Sequence, residues 1–210
     1  MSRVRHRGAR IKKAGVVATV GAAALLVPAT GIATGPFGSQ ERVSLVGADG
    51  DASLAAGLPQ AAFDPVRPRT LVVWHDEPMD GRLEIYGRFV DALGDPLAGG
   101  VFRISTMGAN EVDAFNALAP DVVFNPVTNE FLVVWAANDD QGGLDPNEFE
   151  IFGQRLDANG NPVGADDFRI AFMGPPGQET GNANFFASQP SVAVNGGTGD
   201  YLVAWAADDD

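Results

Sequence analysis

The sequence predicts an all-β protein made of four-stranded antiparallel repeats of about 60–70 residues. Three segments, 63–74, 124–135 and 194–205, share one pattern, in which a turn-rich stretch leads into an apolar run that ends in tryptophan. All three tryptophans of the chain close this pattern, at intervals of 61 and 70 residues. Glycine (26) and proline (14) are abundant among the 210 residues, and frequent turn formers favour many short strands.

One complete repeat is predicted to form four strands joined by turns. We expect its strands at residues 121–124, 130–136, 148–157 and 162–172. The pair Asn159-Gly160 separates the last two strands and predicts a two-residue hairpin with a type I′ turn, because both residues tolerate a positive φ. The loops between these strands differ in length from one repeat to the next, which is where insertions are tolerated.

The second strand of the repeat indicates the architecture. Its core, Leu132-Val-Val-Trp135, is apolar without alternation, as expected for a sheet covered on both faces. Four-stranded units of this kind stack like the blades of a propeller. Gly87 and Gly153 follow aromatic residues and predict close packing at their strand. We therefore favour a β-propeller-like arrangement, an incomplete ring of about 2.5 blades, over a β-sandwich or a β-solenoid.

The first 33 residues have the plan of a secretory signal peptide. Residues 1–13 are basic, residues 14–27 are uncharged and apolar, and Gly31-Ile-Ala33 provides small residues for cleavage. The apolar run is shorter than the roughly 20 residues of a membrane span. The sequence predicts cleavage near Ala33 and a secreted or cell-surface protein, with an uncleaved anchor as the alternative.

The rest of the chain, residues 34–210, forms the predicted repeat region. We expect a leading outer strand at 42–47, complete units at about 59–108 and 120–174, and a truncated unit at 190–210. Propellers have about four to eight blades. The sequence therefore predicts either a fragment of a longer protein or an open arc that needs partners.

Charge and composition exclude several functions. Beyond residue 13 the chain has eight basic and 27 acidic residues, so its field repels nucleic acids. It has no cysteine, which excludes disulfides and thiolate sites. His75 is the only histidine after the signal peptide, so a Ser-His-Asp set cannot be built without it, and we interpret it as a surface histidine. No catalytic set, phosphate-binding loop or other cofactor-binding motif is predicted.

The loops that follow the tryptophans are acidic, and their repeat position puts them on one rim. Clustered carboxylates suit Ca²⁺, which prefers six to eight oxygen ligands. The candidate calcium ligands are Asp139, Asp140, Asp145 and Glu148. The alternative is a solvated polar rim without metal. Residues 157–161 match the first half of the sequence pattern of a calcium-binding loop, but a hairpin turn accounts for the same residues.

Three arginines, Arg42, Arg103 and Arg169, occupy the same repeat position. They form either a ring that binds an acidic ligand or structural pairs with carboxylates of a neighbouring strand. We favour the structural pairs, with Asp91 or Asp157 as the expected partners. The three tryptophans, which end buried strands, are expected to pack in the core rather than to stack sugars.

The segments Tyr201-Leu-Val-Ala-Trp205, 150–164 and Phe168-Arg-Ile170 resemble the repeats of large secreted bacterial surface proteins. The resemblance covers Arg42 to Asp210. It implies a β-propeller-like array outside the cell and no particular activity.

The leading functional hypothesis is a non-catalytic exported repeat module that serves as a binding or structural scaffold. Its partners would be an extracellular ligand or other repeats, without nucleic acid and without a stable membrane span after cleavage. One alternative is a propeller-type hydrolase or lyase on extracellular polymers, with Asp76, Asp139 and Asp140 on the rim. Another is a calcium-stabilised adhesin module. An enzyme should have one unit that departs from the others, whereas scaffold units should be interchangeable.

Overall fold

The computed structural model describes residues 42–44, 56–77, 82–107, 115–139, 147–173 and 185–208. In these ranges it contains ten strands and no helix, in three antiparallel sheets. The strands of unit 1 are β1 (Ala56–Asp64), β2 (Arg69–Asp76), β3 (Glu84–Asp91) and β4 (Phe102–Arg103). The strands of unit 2 are β5 (Ala117–Asn125), β6 (Glu130–Ala137), β7 (Glu150–Leu156) and β8 (Pro162–Arg169). The strands of unit 3 are β9 (Phe186–Val194) and β10 (Tyr201–Asp208).

The strands of each unit lie in chain order across its sheet. The first strands are neighbours between units, because β1 packs against β5 and β5 packs against β9. The predicted fold class is confirmed. The chain is all-β, with antiparallel four-stranded sheets in a partial β-propeller arrangement.

Unit 2 is covered on both faces. We call the face of a sheet that points to the next unit along the chain its forward face, and the opposite one its backward face. Phe131, Val133 and Trp135 of β6 belong to the core shared with unit 1. Leu132 and Val134 belong to the core shared with unit 3. This arrangement is the reason for the uninterrupted apolar run, and it confirms the prediction made from it.

The first strand of each unit is longer than predicted. A proline lies inside β1, β5 and β9, and the residue before it has a positive φ: Leu58 (48°), Ala119 (52°) and Gln189 (51°). In β1 and β5 the pairing register shifts by one residue at the proline. Proline cannot donate to the ladder, so a β-bulge takes the extra residue and the strand continues on its other side.

The hairpin after β7 is confirmed, but the predicted type I′ turn is wrong. Gly160 has a φ of 87°, whereas Asn159 is not in the left-handed region. The amide of Gly160 donates to the Asp157 carbonyl at 3.0 Å, and the amide of Asp157 donates to the Asn161 carbonyl at 2.8 Å. This is a type I turn followed by a left-handed glycine, the usual longer hairpin connection.

The two glycines singled out in the third strands are close-packed as predicted. A Cβ added to Gly87 would lie 2.9 Å from Ile104 Cδ1, and one added to Gly153 would lie 3.0 Å from Ile170 Cδ1. Either substitution would require the neighbouring isoleucine side chain to shift.

The predicted signal peptide and residues 45–47 lie outside the described residues. Residues 42–44 have no strand assignment, and the Arg88 guanidinium donates to the Val43 carbonyl at 3.2 Å. The leading outer strand therefore stays a prediction.

Candidate functional site

The acidic rim is the end of the sheets where β2 leads to β3 and β6 leads to β7. The chain enters the next unit at this same end. The amide of Leu83 donates to Asn116 Oδ1 at 3.0 Å, and the amide of Ala117 donates to the Leu83 carbonyl at 2.7 Å. The amide of Ala187 donates to the Phe149 carbonyl in the same way. Each rim loop therefore holds the entry strand of the following unit.

Glu84, the first residue of β3, is a buried anchor of the rim. Its carboxylate accepts hydrogen bonds from the Arg103 guanidinium and the Ser105 hydroxyl, and from the amide of Met107 at 3.3 Å. Burial raises the pKa of Glu84, although these donors act in the opposite direction. The carboxylate thus ties the outer segment of unit 1 to the start of β3.

Unit 2 repeats this anchor at Glu150. The carboxylate accepts from the Arg169 guanidinium and from the amide of Met173 at 2.7 Å, and Arg169 Nε donates to the Ala171 carbonyl at 2.8 Å. Burial raises the pKa of Glu150, and the nearby Glu148 raises it further. Glu84 and Glu150 therefore make the same kind of contact in units 1 and 2.

The structural interpretation of the repeated arginines is confirmed for Arg103 and Arg169, but the expected partners were wrong. Asp91 and Asp157 lie in hairpin turns, where each carboxylate accepts backbone amides of its own turn. Burial opposes ionisation of Asp157, but the hydrogen bonds from Asn161, Asn159 and Gly160 together lower its pKa. These carboxylates are already used locally, so the arginines pair with glutamates on the adjacent strand.

No role was predicted from the sequence for Glu84 or Glu150. The available signal was their spacing. Glu84 and Glu150 are 66 residues apart, and so are Arg103 and Arg169. A carboxylate and a guanidinium that repeat with the same offset on adjacent strands predict a repeated ion pair.

The end of β2 distinguishes unit 1 from the others. Trp74 Nε1 donates to Asp76 Oδ2 at 2.9 Å, and burial raises the pKa of Asp76. His75 is half-buried against Gly57 rather than lying on the surface as expected, and burial lowers its pKa. The positions of His75 and Asp76 are alanines in unit 2, Ala136 and Ala137.

The described half of the candidate calcium site is buried. Asp139 and Glu148 are both shielded from solvent, whereas Asp140 and Asp145 lie outside the described residues. Within the described ranges, no three histidine, aspartate or glutamate side chains are grouped so that they could hold a metal ion. The calcium assignment therefore stays a prediction, but the alternative of a solvated rim is wrong for Asp139 and Glu148.

The calcium hypothesis has a direct test. If the four carboxylates bind Ca²⁺, we expect the melting temperature of the purified protein to rise between EDTA and millimolar Ca²⁺, because a ligand of the native state stabilises it. The Asp140→Asn, Asp145→Asn variant should lose this rise, and millimolar Mg²⁺ should not reproduce it. An unchanged melting temperature in differential scanning calorimetry would reject the site.

Asp167, on β8, connects units 1 and 2 through hydrogen bonds, and the sequence did not predict this role. Its carboxylate accepts from the amide of Thr106 at 2.6 Å, and its own amide donates to Gln154 Oε1 at 3.1 Å. Burial raises the pKa of Asp167 to about 7, against the hydrogen bond from Thr106, and the charges of Asp166 and Glu84 add to the rise. No local sequence pattern marks it, since its surroundings come from two units.

The raised pKa of Asp167 predicts that the stability of the contact between units 1 and 2 depends on pH. The folded-state pKa of Asp167 lies above its unfolded value near 4, so folding favours the protonated form, and its contribution to stability falls as pH rises from about 4 to about 7. Asp167→Asn keeps an acceptor for the amide of Thr106 without the charge. We expect this variant to be more stable than the wild type at pH 8, by roughly 1–3 kcal/mol because the site is partly exposed, and to show little gain at pH 4. Urea unfolding at several pH values measures this, and equal pH slopes in both proteins would contradict it.

No protein-family model matches the chain, and no curated protein matches it. Solved structures that are similar include an endo-arabinase from Bacteroides thetaiotaomicron (TM-score 0.47, 10% identity, covering 74% of this chain and 52% of that one). An N-acetylgalactosamine deacetylase from F. plautii has a TM-score of 0.45 at 13% identity, covering 70% of this chain and 39% of that one. An arabinanase from Bacillus subtilis has a TM-score of 0.42 at 14% identity, covering 80% and 57%. The chain spans about half the length of the arabinan-degrading enzymes it matches. Those activities belong to those proteins, and this likeness transfers none of them to this chain.

Proposed function

We propose that the chain is a non-catalytic, exported repeat module that acts as a binding or structural scaffold at or outside the cell surface. The observation that carries the proposal is the use of the rim carboxylates. Glu84 and Glu150 are buried and bound to an arginine and a backbone amide in the same way in two units. A catalytic carboxylate must reach its substrate, whereas these two hold strands together.

Export is supported by the order of basic, apolar and small residues in the first 33 positions. Within the described ranges, no helix has the length and apolar character needed to cross a membrane. A fusion of residues 1–40 to alkaline phosphatase, which is active only after export, tests this part. An inactive fusion that accumulates in the cytoplasm would contradict it.

The partner of the scaffold is a neutral or cationic extracellular ligand, or other repeats. The acidic excess beyond residue 13 supports this choice, since such a field repels nucleic acids and other polyanions. Pull-down with insoluble neutral polysaccharides, and with polyuronic acids as the negatively charged comparison, measures the preference.

The catalytic alternative is favoured by one observation in unit 1. Asp76 is buried with a raised pKa, and among the described residues its Oδ1 atom has no hydrogen-bond partner. A raised carboxyl pKa is one of the properties that general acid catalysis uses. A hydrolase or lyase acting on extracellular polymers would use Asp76 in this role, and unit 1 is then the unit that departs from the others.

One assay separates the two functions. Purified protein and its Asp76→Asn and Asp139→Asn variants are incubated with arabinan, xylan and polygalacturonate, and reducing ends and unsaturated products are measured. The scaffold predicts no product above the background in any of the three proteins. Product formed by the wild type and lost in Asp76→Asn would overturn the scaffold in favour of the enzyme.

A further inference from the structure

The forward face of unit 3 is exposed where the same face of the other units is buried. Leu71, Leu132 and Leu202 occupy the same position in the second strands of units 1, 2 and 3. Leu71 is 0% exposed, Leu132 is 3% exposed and Leu202 is 70% exposed. Ala204, two residues further along β10, is also exposed, whereas its counterpart Val134 in unit 2 is buried. The two described strands of unit 3 therefore expose apolar positions that are buried in units 1 and 2.

The backward face of unit 1 also exposes an apolar side chain whose counterpart in unit 2 is buried. Phe63 on β1 is 53% exposed, whereas its counterpart Phe124 on β5 is 7% exposed. Phe124 packs edge-on against Phe131, with ring centroids 5.0 Å apart, in the core shared with unit 1. The exposed phenyl ring of Phe63 thus lies where unit 2 uses a phenyl ring to bind the preceding unit.

The two interfaces inside the chain show how such faces join. In both, the forward leucine of one unit belongs to a core that continues into the backward face of the next. The hairpin turns add polar contacts, since the Arg67 guanidinium donates to Asn129 Oδ1 at 2.9 Å and Asn125 Nδ2 donates to the Gly199 carbonyl at 2.9 Å. Asn195 of unit 3 occupies the position of Asn125 and is exposed.

We propose that the forward face of unit 3 binds the backward face of unit 1 in a second copy of this chain. The contact continues the established interfaces: Leu202 packs near Phe63 of the second copy, as Leu71 shares a core with Phe124 within the chain. It uses the β1 side of unit 1, because Val43 lies against Arg88 on the β3 side. Exposed apolar side chains at both surfaces supply the driving force.

This contact is heterologous, because the two surfaces differ. Copies joined in this way form a closed ring when the rotation closes and an open filament when it does not. The arrangement concerns assembly, so it holds whether the module is a scaffold or an enzyme.

The test uses Leu202→Asp and Phe63→Asp, each of which blocks one of the two surfaces. Sedimentation velocity of the wild type over a wide concentration range should show species larger than a monomer. Each variant alone should be monomeric, with association weakened at least tenfold, because its copies lack one of the two surfaces. An equimolar mixture should form a dimer and nothing larger, since Leu202→Asp keeps the unit 1 surface and Phe63→Asp keeps the unit 3 surface. Leu93→Asp, at an exposed leucine in the hairpin between β3 and β4, is the matched control and should associate like the wild type.

Two results would overturn the proposal. A wild type that stays monomeric at every concentration excludes the contact. Weakened association in Leu202→Asp but not in Phe63→Asp indicates a symmetric contact between two unit 3 surfaces instead. Circular dichroism and the melting temperature show whether the two aspartate variants are folded. If either of them is unfolded, the same experiment is done with Leu202→Ala and Phe63→Ala.

Discussion

Replacing Trp135 by alanine is expected to destabilise the protein by about 3–5 kcal/mol. The indole is fully buried in the core shared by units 1 and 2, so its removal exposes a large apolar surface and leaves a cavity between two sheets. Urea unfolding followed by circular dichroism gives the free energy of unfolding, and calorimetry should show a melting temperature lower by roughly 6–20 °C for a protein of this size.

The matched control is Trp205→Ala in unit 3. Trp205 has the same repeat position but is 38% exposed, so we expect a loss of about 1–2 kcal/mol. Within the described residues β10 pairs only with β9, whereas β6 lies between β5 and β7, so the difference between the two variants measures how much more completely Trp135 is buried. Equal losses would contradict the buried interface between units 1 and 2.

Replacing Glu150 by alanine is expected to cost about 3–5 kcal/mol. The substitution leaves the Arg169 guanidinium and the Met173 amide without their acceptor in a buried site. Glu150→Gln keeps an acceptor for the amide without the negative charge, so its loss should be smaller. Chemical unfolding of both variants against the wild type measures the two losses.

Glu130→Ala is the control for this anchor. Glu130 pairs with Arg155 at 3.0 Å on a more exposed part of unit 2, where the arginine side chain is 42% exposed. Exposed pairs contribute roughly 0–1 kcal/mol, so this variant should be nearly as stable as the wild type. A Glu150→Ala loss no larger than that of Glu130→Ala would mean that the anchor does not hold the outer segment of unit 2.

The sequence was most informative about what each residue does next to its neighbours in the chain. The non-alternating run Leu132-Val-Val-Trp135 predicted a sheet covered on both faces, and β6 is buried on both. Gly87 and Gly153 were predicted at points of close packing and are found there. Pairing between adjacent strands of one unit follows from local patterns, because consecutive strands form hairpins and the register is fixed by the turn.

The sequence was less informative about the rim. Asp76, Asp139 and Glu148 looked like a polar edge, but these three carboxylates are buried. Charge in a sequence indicates exposure only on average, and the burial of a carboxylate such as Glu84 depends on a partner 19 residues away, Arg103, that folding brings against it.

By itself, then, the sequence determined the repeat, the all-β class, the order of strands and the stacking of the sheets, because apolar periodicity and turn residues are local properties. Only the tertiary structure decided which glutamate each arginine binds, why Asp167 has a raised pKa, and which copies of one repeated residue are exposed. These features depend on contacts between elements that are distant in sequence. Leu132 is buried because unit 3 packs against its face of the sheet, whereas no described sheet lies against Leu202 at the same repeat position.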